Sequence, residues 1–241
     1  MDTIQTDVSD QALVTAIRAN LCDVFRHMSR SDPVNHFENE RFVRWYTSLE
    51  HPWFNGVLCT DLPTDDAESF IEETIKYFHK KQVAVFTWWL EPHLKRSDWE
   101  SVLSKYGFGF SDDTPGMAIV LSELNESMAK RQGLEIRVVE DENAMHTWVN
   151  IFVKGYGLPL DWEDQIFETW MKLGFDFPMH NYLGYLNGEP VSTSCLFLGG
   201  GADFDPFARS ARDEISSRRS AVFRNGIQRL QKAWIQTSMP D

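Results

Sequence analysis

NYLGYLNGEPVSTSCLFLGGG, residues 181–201, is the stretch whose reading decides the fold. Tyr182, Leu183, Tyr185 and Leu186 form a short apolar-aromatic run that Asn187-Gly188 interrupts. An Asn-Gly pair is a strong hairpin signal, because both central residues of a type I′ turn need positive φ. Pro190 opens the second run at a strand start, where its missing N–H costs no ladder bond. Val191, Thr193, Cys195 and Phe197 then alternate with Ser192, Ser194, Leu196 and Leu198. One face is apolar throughout, and the other is polar early and apolar late. Periodicity alone therefore predicts two antiparallel strands in a mixed sheet.

Outward from the hairpin, the chain has 241 residues and nine tryptophans, enough for one large domain or two ordinary ones built on bulky side chains. No run reaches the about eighteen apolar residues of a membrane span. The opening MDTIQTDVSDQ is acidic and polar, unlike a secretory signal. Cys22, Cys59 and Cys195 are far apart and form no CxxC pair, so the expectation is a reducing compartment and a cytoplasmic protein. A net charge of −13 argues against nucleic acid and anionic membranes as partners. It suits a cationic amine, and it equally suits simple solubility. After Ala208 the balance reverses, with Arg209, Arg212, Arg218, Arg219, Arg224, Arg229 and Lys232 against Asp213, Glu214 and Asp241.

In chain order, residues 11–28 read as a helix capped by Ser9 or Asp10, and a second helical stretch runs over about 39–49 to His51-Pro52. Residues 53–62 read as a strand or a hairpin around Asn55-Gly56. A helix over 66–80, capped by Thr64 or Asp65, presents Ala67, Phe70, Ile71, Thr74, Ile75 and Phe78 on one face. VAVFTWWL, residues 83–90, reads as a strand buried on both faces. A short helix from Ser97 to about Tyr106 and a strand at 117–121 close the first half. The polar NESMAKRQG, residues 125–133, reads as a linker between a module spanning 1–124 and another spanning 134–241. The second module starts again with a strand over 134–139, a helix over 140–153 and a helix over 162–173 with Gly174 near its cap.

LEIRVVEDENAMHTWVNIFVKGYGLP followed by HNYLGYLNGEPVSTSCLFLGGG resembles the central part of GNAT-superfamily N-acetyltransferases. HPWFNGVLCTDL, FTWWLEP and PGMAIVLSEL resemble the degenerate first copy found in tandem members. The resemblance implies an α/β (α+β) protein of tandem acyl-CoA N-acyltransferase-like modules, with mixed, largely antiparallel sheets flanked by helices. It also implies acetyl transfer from acetyl-CoA to a primary amine. In the family a fourth strand follows the hairpin, and a backbone N–H at a bulge in it polarises the thioester carbonyl. An Arg- and Gly-rich loop then opens a helix that binds the CoA diphosphate.

The chain departs from that pattern after Gly201, where the expected strand and loop give way to ADFDPFARSARDEISSRRSAVFRNG. The second module therefore reads as incomplete. Arg218 and Arg219 are the nearest counterpart of the phosphate loop, but no glycine there lets the backbone approach a phosphate. A one-base shift in reading frame over 211–216 and 232–236 would permit family-like text, which gene sequencing tests. Taken as it stands, the tail places Val222, Phe223, Ile227, Leu230 and Trp234 at helical spacing, as in a basic amphipathic helix. A module without its later strands would expose Leu196, Phe197 and Leu198 at an open edge and self-associate through it.

HExxH, GxSxG, CxxC and Walker patterns are missing from the sequence. Glu91, just after the buried strand, is the acidic residue best placed for a cleft edge and a general base. Trp88, Tyr156, Trp170 and Tyr185 are candidates for an apolar substrate pocket, against the ordinary role of core packing. Thr193 and Ser194 are cofactor-side candidates if the hairpin holds its family position. Two functions from different classes follow: an N-acetyltransferase, or a binding module that keeps the fold without the cofactor loop.

Overall fold

The computed structural model describes residues 7–29, 35–39, 41–58, 66–90, 98–116, 118, 132–199, 202–204, 209–210 and 228–236. It divides into two compact units, each drawn from separated parts of the chain: 28–116 with 228–241, and 1–27 with 117–227. The linear division at 125–133 places residues 1–27 in the first module and 228–241 in the second, and the compact units cross it.

The first unit carries β1 (Asn35–Glu38), β2 (Val43–Tyr46), β3 (Gly56–Leu58), α2 (Ala67–Lys80), β4 (Phe86–Leu90), α3 (Trp99–Lys105), β5 (Gly109–Gly116) and β11 (Gln228–Gln236). Its sheet runs β1-β2-β3-β4-β11-β5, antiparallel except between β3 and β4. The α2 face is the expected one, with Ala67, Phe70, Ile71, Thr74 and Phe78 buried. It lies on a core of rings: Phe78 stacks on Phe86 at 4.0 Å, and Trp88 meets Phe70 edge-on at 5.5 Å and Phe108 at 5.9 Å. Each such buried ring contributes about 2–3 kcal/mol.

Two expectations fail in this unit. Residues 39–49 form no helix: Val43, Arg44 and Trp45 are all buried in a strand hydrogen-bonded to β1 and β3. Phe42, Trp45 and Leu49 share helical spacing and are buried, so either period accounts for them; pairing on both sides decides for the strand. The strand expected at 117–121 falls, apart from 118, outside the described residues, and β5 runs just before it at Gly109–Gly116, at the sheet's end. The tail from 228 to 236 is a strand rather than part of an amphipathic helix, because β11 is paired on both edges, with β4 and with β5.

Gly56 is needed for close approach. An added Cβ would lie 2.9 Å from the Thr87 carbonyl oxygen and 2.9 Å from the Trp45 ring. Gly56→Ala is expected to cost about 1–3 kcal/mol in chemical denaturation. Gly184→Ala, whose Cβ would meet the movable Ser192 hydroxyl, is expected to cost less.

The second unit holds α1 (Asp10–Ser29, up to His27), β6 (Leu134–Val138), α4 (Glu142–Tyr156), α5 (Glu163–Leu173), β7 (Met179–Leu186), β8 (Glu189–Gly199), β9 (Ala202–Phe204) and β10 (Arg209–Ser210). Its sheet runs β10-β8-β7-β6, with β9 also on β8. The Ser9 hydroxyl accepts from Ala12 N–H at the start of α1, as expected of a cap. Asn20 Nδ2 donates to the Gly199 carbonyl, and the His27 ring lies 5.6 Å from Phe197, so α1 packs on the far end of β8.

Cys195 is a free buried thiol. Cys22, by contrast, is disulfide-bonded. Disulfides are rare in reducing compartments, so the cysteines no longer argue for one.

Candidate functional site

The site grows from the hairpin. Asn187 and Gly188 take φ of 53° and 87°, the two positive values a type I′ turn requires. Asn187 N–H donates to the Gly133 carbonyl at 2.8 Å, which ties the turn to the strand entering β6. Along β8, Val191, Thr193, Cys195 and Phe197 are buried and the residues between them are not, so the alternation read from sequence is the face the fold buries.

The helix laid on this sheet is α4. Asp141 Oδ1 accepts from Ala144 N–H at 2.8 Å at its start, and Gly157 closes it at φ 66°. Trp148, on its buried stripe, donates from Nε1 to the Ser194 carbonyl at 3.3 Å. A side-chain donor from a helix thus reaches a main-chain acceptor in β8. Sequence reading gave Trp148 only a packing role, because nothing in the pattern marks where an indole N–H points.

Beyond β8 the expected gap is filled. β10 pairs Arg209 with Thr193 and Ser210 with Ser192, while β9 pairs Phe204 with Phe197, Asp203 with Leu198 and Ala202 with Gly199. The strand position read as missing after Gly201 is therefore occupied in two pieces. Of Leu196, Phe197 and Leu198, the last two are paired there with Phe204 and Asp203. From Thr193 to Phe197 β8 advances four residues, whereas their partners Arg209 and Phe204 are five apart in sequence, so the two pieces are one residue out of register along β8.

Two buried polar atoms stand nearby. Thr193 Oγ1 and Asn181 Oδ1, in residues each 3% exposed, have no hydrogen-bond partner among the described residues. Asn181 lies opposite Cys195, and Thr193 is two residues along the same face. An orphaned buried hydroxyl costs stability. Thr193→Val, of nearly the same shape, should therefore leave stability unchanged or raise it by about 1 kcal/mol in chemical denaturation.

The remaining candidates fall elsewhere. Trp170 is fully buried, 5.4 Å from Trp148 and 5.7 Å from Phe152, and Tyr156 packs at 4.7 Å on Phe152. These two candidates do come together, in the packed layer between α4 and α5. Tyr185 lies under the Arg137 guanidinium at 4.2 Å, and Arg137 also pairs with Glu135 at 2.8 Å. Trp88 is fully buried among the rings of the first unit. Glu91, Arg218 and Arg219 lie outside the described residues. Among the described residues no group of His, Cys, Asp and Glu could hold a metal ion, and no helix is long and apolar enough to cross a membrane.

No family profile matches the sequence, and no curated protein does. Solved structures do match the fold. A GCN5-related N-acetyltransferase from Kribbella flavida superimposes with a TM-score of 0.60 at 13% identity, over 96% of this chain and 95% of its own. A functionally unknown conserved protein from Staphylococcus epidermidis superimposes with a TM-score of 0.56 at 10% identity, over 84% of this chain and 93% of its own. At such identities the likeness speaks for the fold alone. The order strand, two helices and antiparallel hairpin agrees with it, and the chain has the fold of the GCN5-related N-acetyltransferases.

Proposed function

We propose that this protein transfers an acetyl group from acetyl-CoA to a primary amine, with the edge of β8 between its pairings with β10 and β9 as the thioester site. The one-residue offset opposite Ser194–Leu196 is the observation that carries the reading. A change of register along a strand interrupts the ladder and leaves main-chain donors unpaired, and donors already fixed in place stabilise negative charge developing on a carbonyl oxygen without reorganising. In the reaction a neutral amine attacks the thioester carbon, the C–N bond forms and the C–S bond breaks. The sulfur leaves as a thiolate that takes a proton, and the amine loses one to a base or to water. Thr193 and Ser194 border the site on β8, and Trp148 fixes the Ser194 carbonyl so that this part of the strand cannot shift.

The competing reading is a binding module that keeps the fold without the reaction. The lack of glycine between Ala211 and Asn225, where the family places its diphosphate loop, favours it. Thermal denaturation with acetyl-CoA separates the two. A ligand at ~100 times its Kd adds about 2.7 kcal/mol, a visible rise in Tm. Stabilisation together with release of free CoA thiol in the presence of an amine panel is the expected result. No shift and no thiol release leave only the binding module.

A further inference from the structure

Arg44 in β2 is 4% exposed, yet among the described residues nothing accepts a hydrogen bond from its Nε or Nη1. Its Cζ lies 3.9 Å over the Tyr77 ring, 4.8 Å from the centre of Phe42 and 5.2 Å from that of Phe37. Aromatic faces attract the cation but accept none of its in-plane N–H bonds. Nε and Nη1 are sealed from water. The nearby carboxylate is that of Glu73, 3.6 Å from Nη1, beyond hydrogen-bond range and 68% exposed. Methionine would fill the same slot without the cost of desolvating a charge, so packing gives no reason for arginine here.

The surroundings point to an anion. Lys81 Nζ lies 5.6 Å over Tyr46, and Tyr46 meets Tyr77 edge-on at 6.1 Å, so a second cation borders the same aromatic pair. Burial raises the pKa of the Tyr77 phenol, which keeps its proton at neutral pH and remains a donor.

We propose that Arg44, Tyr77 and Lys81 form a binding site for a small phosphate-class oxyanion, held open by Glu73 as a loosely paired resident carboxylate. The incoming oxyanion takes the in-plane donors of Arg44, and the exposed Glu73 swings into water. Two cations against one displaced carboxylate favour a phosphate dianion over a monocarboxylate. This inference is independent of acetyl transfer, because none of its residues belongs to the β8 edge.

The test is a titration of the full chain with inorganic phosphate at constant ionic strength, followed by calorimetry and thermal denaturation. Acetate serves as the carboxylate arm, and glycerol phosphate distinguishes an ester-borne group from the free ion. The expected results are binding of phosphate in preference to acetate, affinity raised about two- to fivefold in Glu73→Gln, and binding weakened at least about tenfold in Arg44→Met. Glu73→Gln alters only an exposed side chain and keeps the test valid if Arg44→Met fails to fold. No phosphate binding, phosphate protection that persists in Arg44→Met, or affinity unchanged in Glu73→Gln would each overturn the proposal.

Discussion

Asn55→Ala should destabilise the first unit by about 3–5 kcal/mol, the larger of the effects expected at a polar residue. The side chain is buried, and both of its ends are used. Oδ1 accepts from Thr47 N–H at 2.7 Å, and Nδ2 donates to the carbonyls of Leu49 at 2.8 Å, Val85 at 3.1 Å and His51 at 3.3 Å. Its own carbonyl accepts from Thr87 N–H at 2.9 Å, and the Thr87 hydroxyl donates to the Pro52 carbonyl at 2.7 Å. The amide therefore ties the β2–β3 loop to the entry of β4. Alanine would leave a buried N–H and buried carbonyls unpaired, at about 1–3 kcal/mol each. Aspartate would keep the acceptor for Thr47 but set a carboxylate against the Leu49 and Val85 carbonyls, so it should be no better. Chemical denaturation of the three proteins measures this, and a loss below about 1 kcal/mol for Asn55→Ala would show that water replaces the amide.

Trp148→Ala should cost the second unit about 3–5 kcal/mol. The indole is fully buried, stacked at 5.0 Å and 13° on Phe152 and 5.4 Å from Trp170, so its loss leaves a cavity walled by rings that cannot collapse freely. Trp148→Phe keeps much of that packing and removes the hydrogen bond to Ser194, for about 1 kcal/mol. The pair of variants separates packing from positioning. If the β8 edge is the thioester site, Trp148→Phe should lower acetyl transfer by more than its stability loss explains, with a normal melting profile. Full activity in Trp148→Phe would show that the carbonyl needs no anchor. A small effect in Trp148→Ala, by contrast, would mean that the α4–α5 layer is not the core of this unit.

Both residues lay in plain view in the chain and neither was legible in its role. Asn55-Gly56 has the text of a hairpin turn, yet the fold uses the asparagine amide as a strap and the glycine for close approach to Thr87 and Trp45. Asn187-Gly188 has the same text and does form the turn. What separates them is what surrounds each pair: β7 and β8 are joined by the turn itself, whereas β3 continues into a parallel pairing with β4. Trp88 and Trp170 were candidates for a pocket because aromatic side chains line pockets and cores alike, and only burial separates the two uses.

What the sequence determined by itself is local. The helices α2, α4 and α5, the β7–β8 turn and the buried face of β8 follow from periods of 3.6 and 2, from caps, and from glycines at positive φ. These depend on neighbours a few residues apart. Strand pairing does not: β2 is a strand because β1 and β3 flank it, β11 because β4 and β5 do, and the register of β9 and β10 on β8 is set by the segments they meet. Such pairings are made by main-chain groups that every residue carries, so composition cannot announce them. The orphaned Arg44, Thr193 and Asn181 belong to the same class, because whether a polar atom has a partner is decided by distant parts of the chain packing around it.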